Sequence, residues 1–291
     1  MNILVTGSNG QLGNELRRIS GDYPEFRFFF TDLNELDITI SEAVNDFFSE
    51  NCIQTVVNCA AYTAVDKAEK EEKAAMLVNA VATEYLAEAC KNAQATLIHI
   101  STDYVYDGVA CTPYSELHAT APSSAYGRSK LAGEKAALNA VKSVIIRTSW
   151  LYSSYGNNFV KTMLRLGKER EQLNVVFDQV GTPTYAADLA RAIMAIIVQA
   201  KSNNLKTGIF NYSNEGVCSW YDFAHEIMVQ SGLKCVINPI ETKDYPLPAP
   251  RPHYSVLNKT RIKSEYGLEI PHWKDSLKRC IIDILGKNTS L

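Results

Sequence analysis

The sequence predicts an α/β protein: a Rossmann-type, doubly wound parallel sheet with a smaller C-terminal α/β substrate-binding part. Three observations carry this. Short apolar runs alternate with amphipathic stretches through the first half of the 291-residue chain, the rhythm of stacked βαβ units. The runs themselves (Ile3-Leu4-Val5, Phe28-Phe29-Phe30, Val56-Val57, Leu97-Ile98-His99-Ile100) are near-continuous, as strands are when helices cover both sheet faces. Finally, Gly7-Ser-Asn-Gly10-Gln-Leu-Gly13 stands directly after the first run, where it joins a strand to a helix.

In chain order, strands are expected near 2–6, 26–31, 54–59, 95–101 and 143–148, with helices near 10–20, 41–50, 73–92 and 124–141. After Trp150, a helix near 157–170, a strand near 173–177, a helix near 185–200 and a strand near 208–213 read as one more set of sheet and helix elements. Then follow a helix from Ser219 to Ser231, a strand from Cys235 to Ile240, a proline-stiffened extended segment from Tyr245 to Pro252, and a last helix near 272–285. There is no internal repeat or long linker. The expected division is an NAD(P)-binding domain over 1–215, with part of 151–185 lining the substrate cleft, and a smaller substrate-binding part over 216–291. The last helix is expected to pack back on the first domain, with the cleft between the two parts.

Composition narrows the function classes. At 46% hydrophobic and 21% charged, the chain has ample material for a large core. A net charge of −3 and scattered basic residues give no long-range attraction to nucleic acid or an anionic membrane, so phosphate recognition must be local. The N-terminus enters a strand without a signal-like core, and no window approaches the roughly 20 apolar residues of a membrane span, so a cytoplasmic address is expected. Seven dispersed cysteines without a Cys-x-x-Cys pair suit a reducing compartment.

The glycine-rich turn allows a pyrophosphate to approach the backbone and the positive end of the first helix, which assigns Gly7, Asn9, Gly10, Gln11, Leu12 and Gly13 to a nucleotide cofactor. Asp32 ends the second strand 19 residues after Gly13, where an acidic side chain hydrogen-bonds a ribose 2′-hydroxyl and favours NADH; it also suits a plain strand-end turn. Arg17 and Arg18 in the first helix keep a 2′-phosphate, and so NADPH, open. Asp37 and Ile38 are candidates to flank the adenine. Ala60, Ala61, Tyr62 and Thr63 follow the third strand at the carboxyl edge of the sheet, where open α/β sheets bind ligands.

Tyr126 and Lys130, four apart on a helix, share one face. An ammonium about 4 Å from the phenol, at an effective dielectric of roughly 20, would favour phenolate by about 4 kcal/mol, close to three pKa units. That draws a proton donor towards neutral pH. From 15 Tyr and 18 Lys in 291 residues about one such pair is expected by chance, so position in the fold must support the assignment.

Taken together, these residues resemble the extended short-chain dehydrogenase/reductase superfamily, and more closely its nucleotide-sugar 4-ketoreductases. The likeness rests on Asn58-Cys-Ala-Ala-Tyr-Thr-Ala-Val-Asp-Lys67, Ser101-Thr-Asp-Tyr-Val-Tyr106, Tyr126-Gly-Arg-Ser-Lys-Leu-Ala-Gly-Glu134, Arg147-Thr-Ser-Trp150, Asn157-Asn-Phe159 and Arg251-Pro252, and it spans nearly the whole chain. It implies NADPH- or NADH-dependent reduction of the 4-keto group of dTDP-4-dehydro-L-rhamnose for cell-surface polysaccharide. In that picture Thr102 donates a hydrogen bond to the reacting carbonyl, Tyr126 supplies the proton, and Lys130 holds the cofactor ribose and lowers the phenol pKa. Asp103, Tyr104, Trp150 and Asn158 line the sugar site and Arg251 meets the diphosphate. Core packing for Trp150 and an exposed loop position for Arg251 stay open.

Two rivals share the scaffold. A dehydratase of this superfamily carries Thr-Asp-Glu, whereas Tyr104 follows Thr102-Asp103 here. An epimerase uses the same Tyr/Lys pair and retains its NAD. A non-catalytic nucleotide-binding subunit is a third reading, opposed by the intact Thr102, Tyr126 and Lys130. Some similar proteins dimerise through magnesium bound by acidic side chains. Glu15 and Asp188 stand in the corresponding region, but Ala187 replaces a carboxylate, and a hard cation needs several oxygen ligands, so a monomer or a homodimer is expected.

Overall fold

The structure is a computed structural model and describes residues 1–288. β1 (Asn2–Thr6), α1 (Gln11–Ile19), β2 (Arg27–Phe30), α2 (Ser41–Asn51) and β3 (Thr55–Asn58) lead into two short helices, α3 (Val65–Ala68) and α4 (Glu72–Met76). A π-helical turn (Leu77–Val81) then runs into α5 (Ala82–Asn92), β4 (Thr96–Thr102), α6 (Ala125–Ala137) and β5 (Lys142–Thr148). The remainder comprises β6 (Leu151–Tyr152), α7 (Phe159–Glu169), β7 (Gln172–Val176), β8 (Val180–Gly181), β9 (Thr184–Tyr185) and α8 (Ala186–Lys201). It closes with β10 (Gly208–Asn211), β11 (Cys218–Ser219), α9 (Trp220–Ser231), β12 (Val236–Ile240), α10 (Thr260–Tyr266) and α11 (Trp273–Asn288).

The main sheet has the order β10-β5-β4-β3-β1-β2, and every pairing is parallel. Successive strand residues face opposite ways, which explains the apolar runs. Ile3, Val5, Val57, Ile98, Val144 and Ile146 pack with Leu16 of α1 and Leu189 and Ile193 of α8. On the other face Leu4, Val56, Leu97 and Ile145 meet Val44 and Phe48 of α2 and Leu86 of α5. At roughly 1.5–3 kcal/mol for each large side chain removed from water, these two layers dominate the stability of the fold. The chain lays β2 on one side of β1 and β3 on the other, so the strand order reverses between β1 and β3, and a crevice opens there at the carboxyl ends of the strands.

β7 does not join this sheet. It pairs in parallel with β12. Its residues alternate, Gln172 and Asn174 exposed and Leu173 and Val175 buried, so it has one wet face and does not suit a doubly covered position. With α7, α9, β12 and α11 it builds a second core around Leu164, Phe223, Ile227, Ile237 and Leu277. Asn158 caps α7 by accepting a hydrogen bond from Lys161 N at 3.1 Å, and a capping box of Ser219 and Asp222 starts α9.

The helix expected over 73–92 is interrupted by the π-helical turn, a distortion frequent at functional sites. From inside that turn Asn79 accepts a hydrogen bond from Tyr62 N at 2.8 Å and donates to Tyr62 O and Ser129 Oγ, tying the loop after β3 to α6. α3 and α10 were not expected, being too short for a helical period to show in sequence.

α6 is fixed to the sheet by a buried ion pair. Arg147 on β5 donates Nε and Nη2 to the two oxygens of Glu134 on α6, at 2.8 and 2.6 Å, with both side chains at most 3% exposed. Ser101 Oγ on β4 donates to Glu134 Oε1 at 2.6 Å, and Arg147 Nη1 donates to the Tyr106 hydroxyl at 2.8 Å. Removing one partner strands the other charge in the core. Glu134→Leu is expected to destabilise the protein by about 3–5 kcal/mol, and the double variant Glu134→Leu/Arg147→Met by clearly less, as measured by denaturant unfolding.

Candidate active site

At the crevice the loops after β1 and β3 touch. A Cβ on Gly7 (φ +61°) would fall 2.6 Å from Ala60 Cα, and one on Gly13 would fall 2.5 Å from Ser8 Cα. Both glycines are therefore required by the protein's own backbone packing. Gly10 is less constrained: an added Cβ would lie 3.1 Å from Gly7 O, a tight contact but not an overlap. It borders a cavity of about 760 Å³ together with Gly7, Gln11 and Leu12. The first-turn amides of α1 have no carbonyl of their own helix to bind, so this turn fits a pyrophosphate. Asn9 and Gly13, expected at the cofactor, are not among the residues that line the cavity.

Asp32 lines the cavity and also braces the turn, accepting hydrogen bonds from Asn9 N at 3.0 Å and Leu33 N at 2.9 Å. Arg17 stays beside the turn, donating to Ser8 Oγ at 2.9 Å with its guanidinium over the Phe30 ring. Arg18 is drawn away from it by Glu15 and Asp283. Asp37, Ile38, Ala60, Ala61 and Thr63 all line the cavity. Tyr62 is not among the lining residues; its hydroxyl donates to Glu71 at 2.5 Å.

β4 delivers Thr102 to the same cavity, and α6, capped by Ser124, delivers Tyr126 and Lys130. Thr102 Oγ1 donates to Asp103 Oδ1 at 3.0 Å, and Lys130 Nζ donates to Ile100 O at 2.6 Å. The Tyr126 ring packs edge-on against Tyr104, with centroids 5.6 Å apart. Loss of water pushes its phenol up to about 12; a hydrogen bond with Thr102 opposes the rise and the Asp103 carboxylate adds to it. The expectation that Lys130 draws this phenol towards neutral pH is thus corrected. The ammonium is held by the Ile100 carbonyl, and Lys130 is itself pushed down to about 8 by burial. A phenol that stays protonated at neutral pH is the form a proton donor needs.

On the far side stand Asp103, 3% exposed and pushed up to about 6 by burial, and Tyr104, whose phenol burial raises well above its usual value. Trp150 adopts φ +48°, a strained conformation for a bulky residue, and stacks on Trp220 with centroids 3.6 Å apart and planes within 10°. Both indoles line the cavity.

The family described as the RmlD substrate binding domain matches residues 1–285. A dTDP-4-dehydrorhamnose reductase of Aggregatibacter actinomycetemcomitans is 41% identical, covering 95% of this chain and 97% of that protein. The chain belongs to this dTDP-4-dehydrorhamnose reductase family. A crystal structure of a dTDP-4-dehydrorhamnose reductase from Clostridium acetobutylicum superposes with a TM-score of 0.92 at 44% identity, covering 98% of this chain and 100% of that one. One from Bacillus anthracis, in complex with NADP, gives a TM-score of 0.92 at 40% identity, covering 97% and 99%.

Within this reductase fold, two expected substrate residues lie off the cavity wall. Asn158 is occupied as the cap of α7 and donates Nδ2 to Gln11 Oε1 at 3.0 Å, while its neighbour Asn157 lines the cavity. Arg251 pairs with Asp66. Trp220 was missed, because the sequence showed a helix there without showing which face meets the cleft.

Glu15 and Asp188, the candidate magnesium ligands, are buried and engaged. Glu15 accepts from Ser153 Oγ at 2.6 Å and lies 2.8 Å from Arg18; Asp188 accepts from Ser276, Arg279 and Asn214. Among the described residues no group of three or more His, Cys, Asp or Glu is arranged to hold a metal, and no helix is long and apolar enough to cross a membrane. Cys59 lines the cavity, and burial pushes its thiol up to about 12, which favours the unreactive thiol over the thiolate.

Gly13→Ala is expected to weaken NADPH binding at least ~10-fold through displacement of the turn, as read by fluorescence titration. In the ligand-free protein, phenolate absorbance from Tyr126, taken as the difference from Tyr126→Phe, is expected to be absent through neutral pH and to develop only near pH 12.

Proposed function

We propose that this chain is an NAD(P)H-dependent oxidoreductase that reduces the 4-keto group of dTDP-4-dehydro-L-rhamnose to give dTDP-L-rhamnose, for cell-surface polysaccharide. The observation that carries the proposal is that Thr102, Tyr126 and Lys130 meet in one cavity with the glycine turn. The first-turn amides of Gln11 and Leu12 would hold the pyrophosphate, with Gly10, whose own amide donates to Gly7 O at 3.0 Å, beside it, and Asp32 with Arg17 the adenosine ribose or its 2′-phosphate. Asp37 and Ile38 would border the adenine, with Ala60, Ala61 and Thr63 along the dinucleotide. Arg17 beside the turn favours NADPH. A bound dihydronicotinamide supplies the hydride.

The chain's own residues do the remainder. Lys130 orients the cofactor ribose and keeps positive charge near the reacting oxygen. Thr102 turns its hydroxyl from Asp103 to the carbonyl oxygen, polarising it. Tyr126 holds its proton until negative charge develops on that oxygen, then gives it up to form the alcohol. A high phenol pKa does not prevent this, because an alkoxide is the stronger base. The Trp150–Trp220 stack and Tyr104 exclude water and leave the sugar a single approach, and Asp103 and Asn157 offer it polar contacts. The nucleotide diphosphate reaches Arg251.

We assign cofactor binding to residues 1–215, with 151–185 lining the cleft, and substrate binding chiefly to 216–291. The enzyme would act in the cytoplasm as a monomer or homodimer, without nucleic-acid partners. The second reading, an epimerase, keeps the Tyr126/Lys130 pair but retains its dinucleotide. A dehydratase is disfavoured by Tyr104 at the place of its glutamate.

With dTDP-4-dehydro-L-rhamnose and NADPH or NADH, one reduced nicotinamide is expected to be consumed per sugar. Isomerisation without net consumption would instead establish the epimerase. Tyr126→Phe is expected to lower turnover by ~10²-fold or more with cofactor affinity unchanged.

A further inference from the structure

The motif Ala64-Val-Asp66-Lys after β3 has no part in the chemistry above, yet it makes a long-range contact. Asp66, in the first turn of α3, accepts from Arg251 Nη2 through Oδ2 at 2.8 Å and from Ala249 N through Oδ1 at 3.2 Å. One carboxylate therefore grips both the backbone and the guanidinium of the proline-rich segment. The other end of that segment is fixed independently: Tyr254 N donates to Gly108 O at 3.0 Å, and Pro252 sits where a Cβ on Gly108 would fall, 2.5 Å from its own Cβ.

Arg251 is 16% exposed and Asp66 38%. The second amino group of the guanidinium, Nη1, is buried with no hydrogen-bond partner among the described residues. An unmet buried donor is unfavourable, so Nη1, covered in the ligand-free protein, has a hydrogen bond to gain if substrate uncovers it, and a guanidinium with one edge pinned holds the other in a fixed plane suited to a phosphate. The neighbours of this pair point to the cleft. Val65, next to Asp66, lines the cavity, and so does Tyr104, whose phenol feels the charges of both Arg251 and Asp66.

We infer that Asp66 is a positioning residue for substrate: by holding Arg251 and the Ala249 amide it orients the free edge of the guanidinium to take a diphosphate oxygen of the nucleotide sugar. This rests on the reading of Arg251 as the diphosphate contact. Asp66 touches neither substrate nor cofactor; it acts through Arg251.

The test compares native protein with Asp66→Asn, Asp66→Glu, Arg251→Ala and the double variant Asp66→Asn/Arg251→Ala, using dTDP and thymidine as ligands in calorimetry and the 4-keto sugar in steady-state assays. Asp66→Asn is expected to weaken dTDP binding and raise KM for the sugar by roughly tenfold, the scale of one charged hydrogen bond, with thymidine and NADPH affinity and kcat within about twofold. Asp66→Glu should restore much of the loss, and Asp66→Asn should add nothing once Arg251 is alanine. If Arg251→Ala weakens dTDP while Asp66→Asn leaves it unchanged or tightens it, the positioning role is wrong and the diphosphate reading stands. If Arg251→Ala leaves dTDP binding intact, the diphosphate reading itself fails. Equal loss of dTDP and thymidine in Asp66→Asn would mean that the segment has merely been displaced, and would overturn the inference.

Discussion

The geometry of this molecule depends on the bidentate pair between Arg147 and Glu134. It ties α6 to β5, and through Ser101 to β4, so the helix carrying Tyr126 and Lys130 has a fixed position relative to the strand that ends in Thr102. Proton transfer tolerates little error in distance, and a 1 Å misplacement is enough to lose much of the rate. A hydrophobic contact would hold α6 against the sheet equally well but would allow it to slide. The forked hydrogen bonds set its register, and the Tyr106 hydroxyl, from the loop after β4, and Asn211, from the neighbouring strand β10, join the same network.

Electrostatics in the crevice follow from exclusion of water more than from pairing of charges. Tyr126, Tyr104, Asp103 and Lys130 are all shifted towards their neutral forms, and burial is the largest cause in each. The phenol of Tyr126 is set by burial, Thr102 and Asp103, while the Lys130 ammonium donates to the Ile100 carbonyl at 2.6 Å. The site is thus set up so that charge appearing on a substrate oxygen meets few competing ions and little water, conditions in which each hydrogen bond is strengthened.

Much of this was legible in the chain itself. The parallel sheet followed from apolar runs such as Ile3-Leu4-Val5, because a strand covered on both faces cannot alternate, and the glycine spacing after the first strand marked the crevice; that Gly7 and Gly13 are compelled by contacts with Ala60 and Ser8 emerged only from the fold. The pairing of β7 with β12 was not legible: short strands carry no label for their partner, and these two lie far apart in the chain. Trp220 and Asp66 were missed for a related reason. Their importance lies in which distant segment they meet, and that is a property of tertiary packing. Arg18 shows the converse, a plausible ligand by proximity in sequence that the fold gives to Asp283 instead.

The parallel pairing of β7 with β12 has a consequence for biogenesis. Residues up to Thr148 can assemble five strands of the main sheet with the glycine turn as they leave the ribosome, but β7 lacks its neighbour until residues 236–240 have been made. During that interval the apolar face of α7, which later packs on α9, stays uncovered, so a half-made chain holds a nucleotide crevice beside an unfinished sugar wall. A chain that stops in this window would leave that apolar face exposed, the kind of surface that makes partly folded chains prone to aggregate.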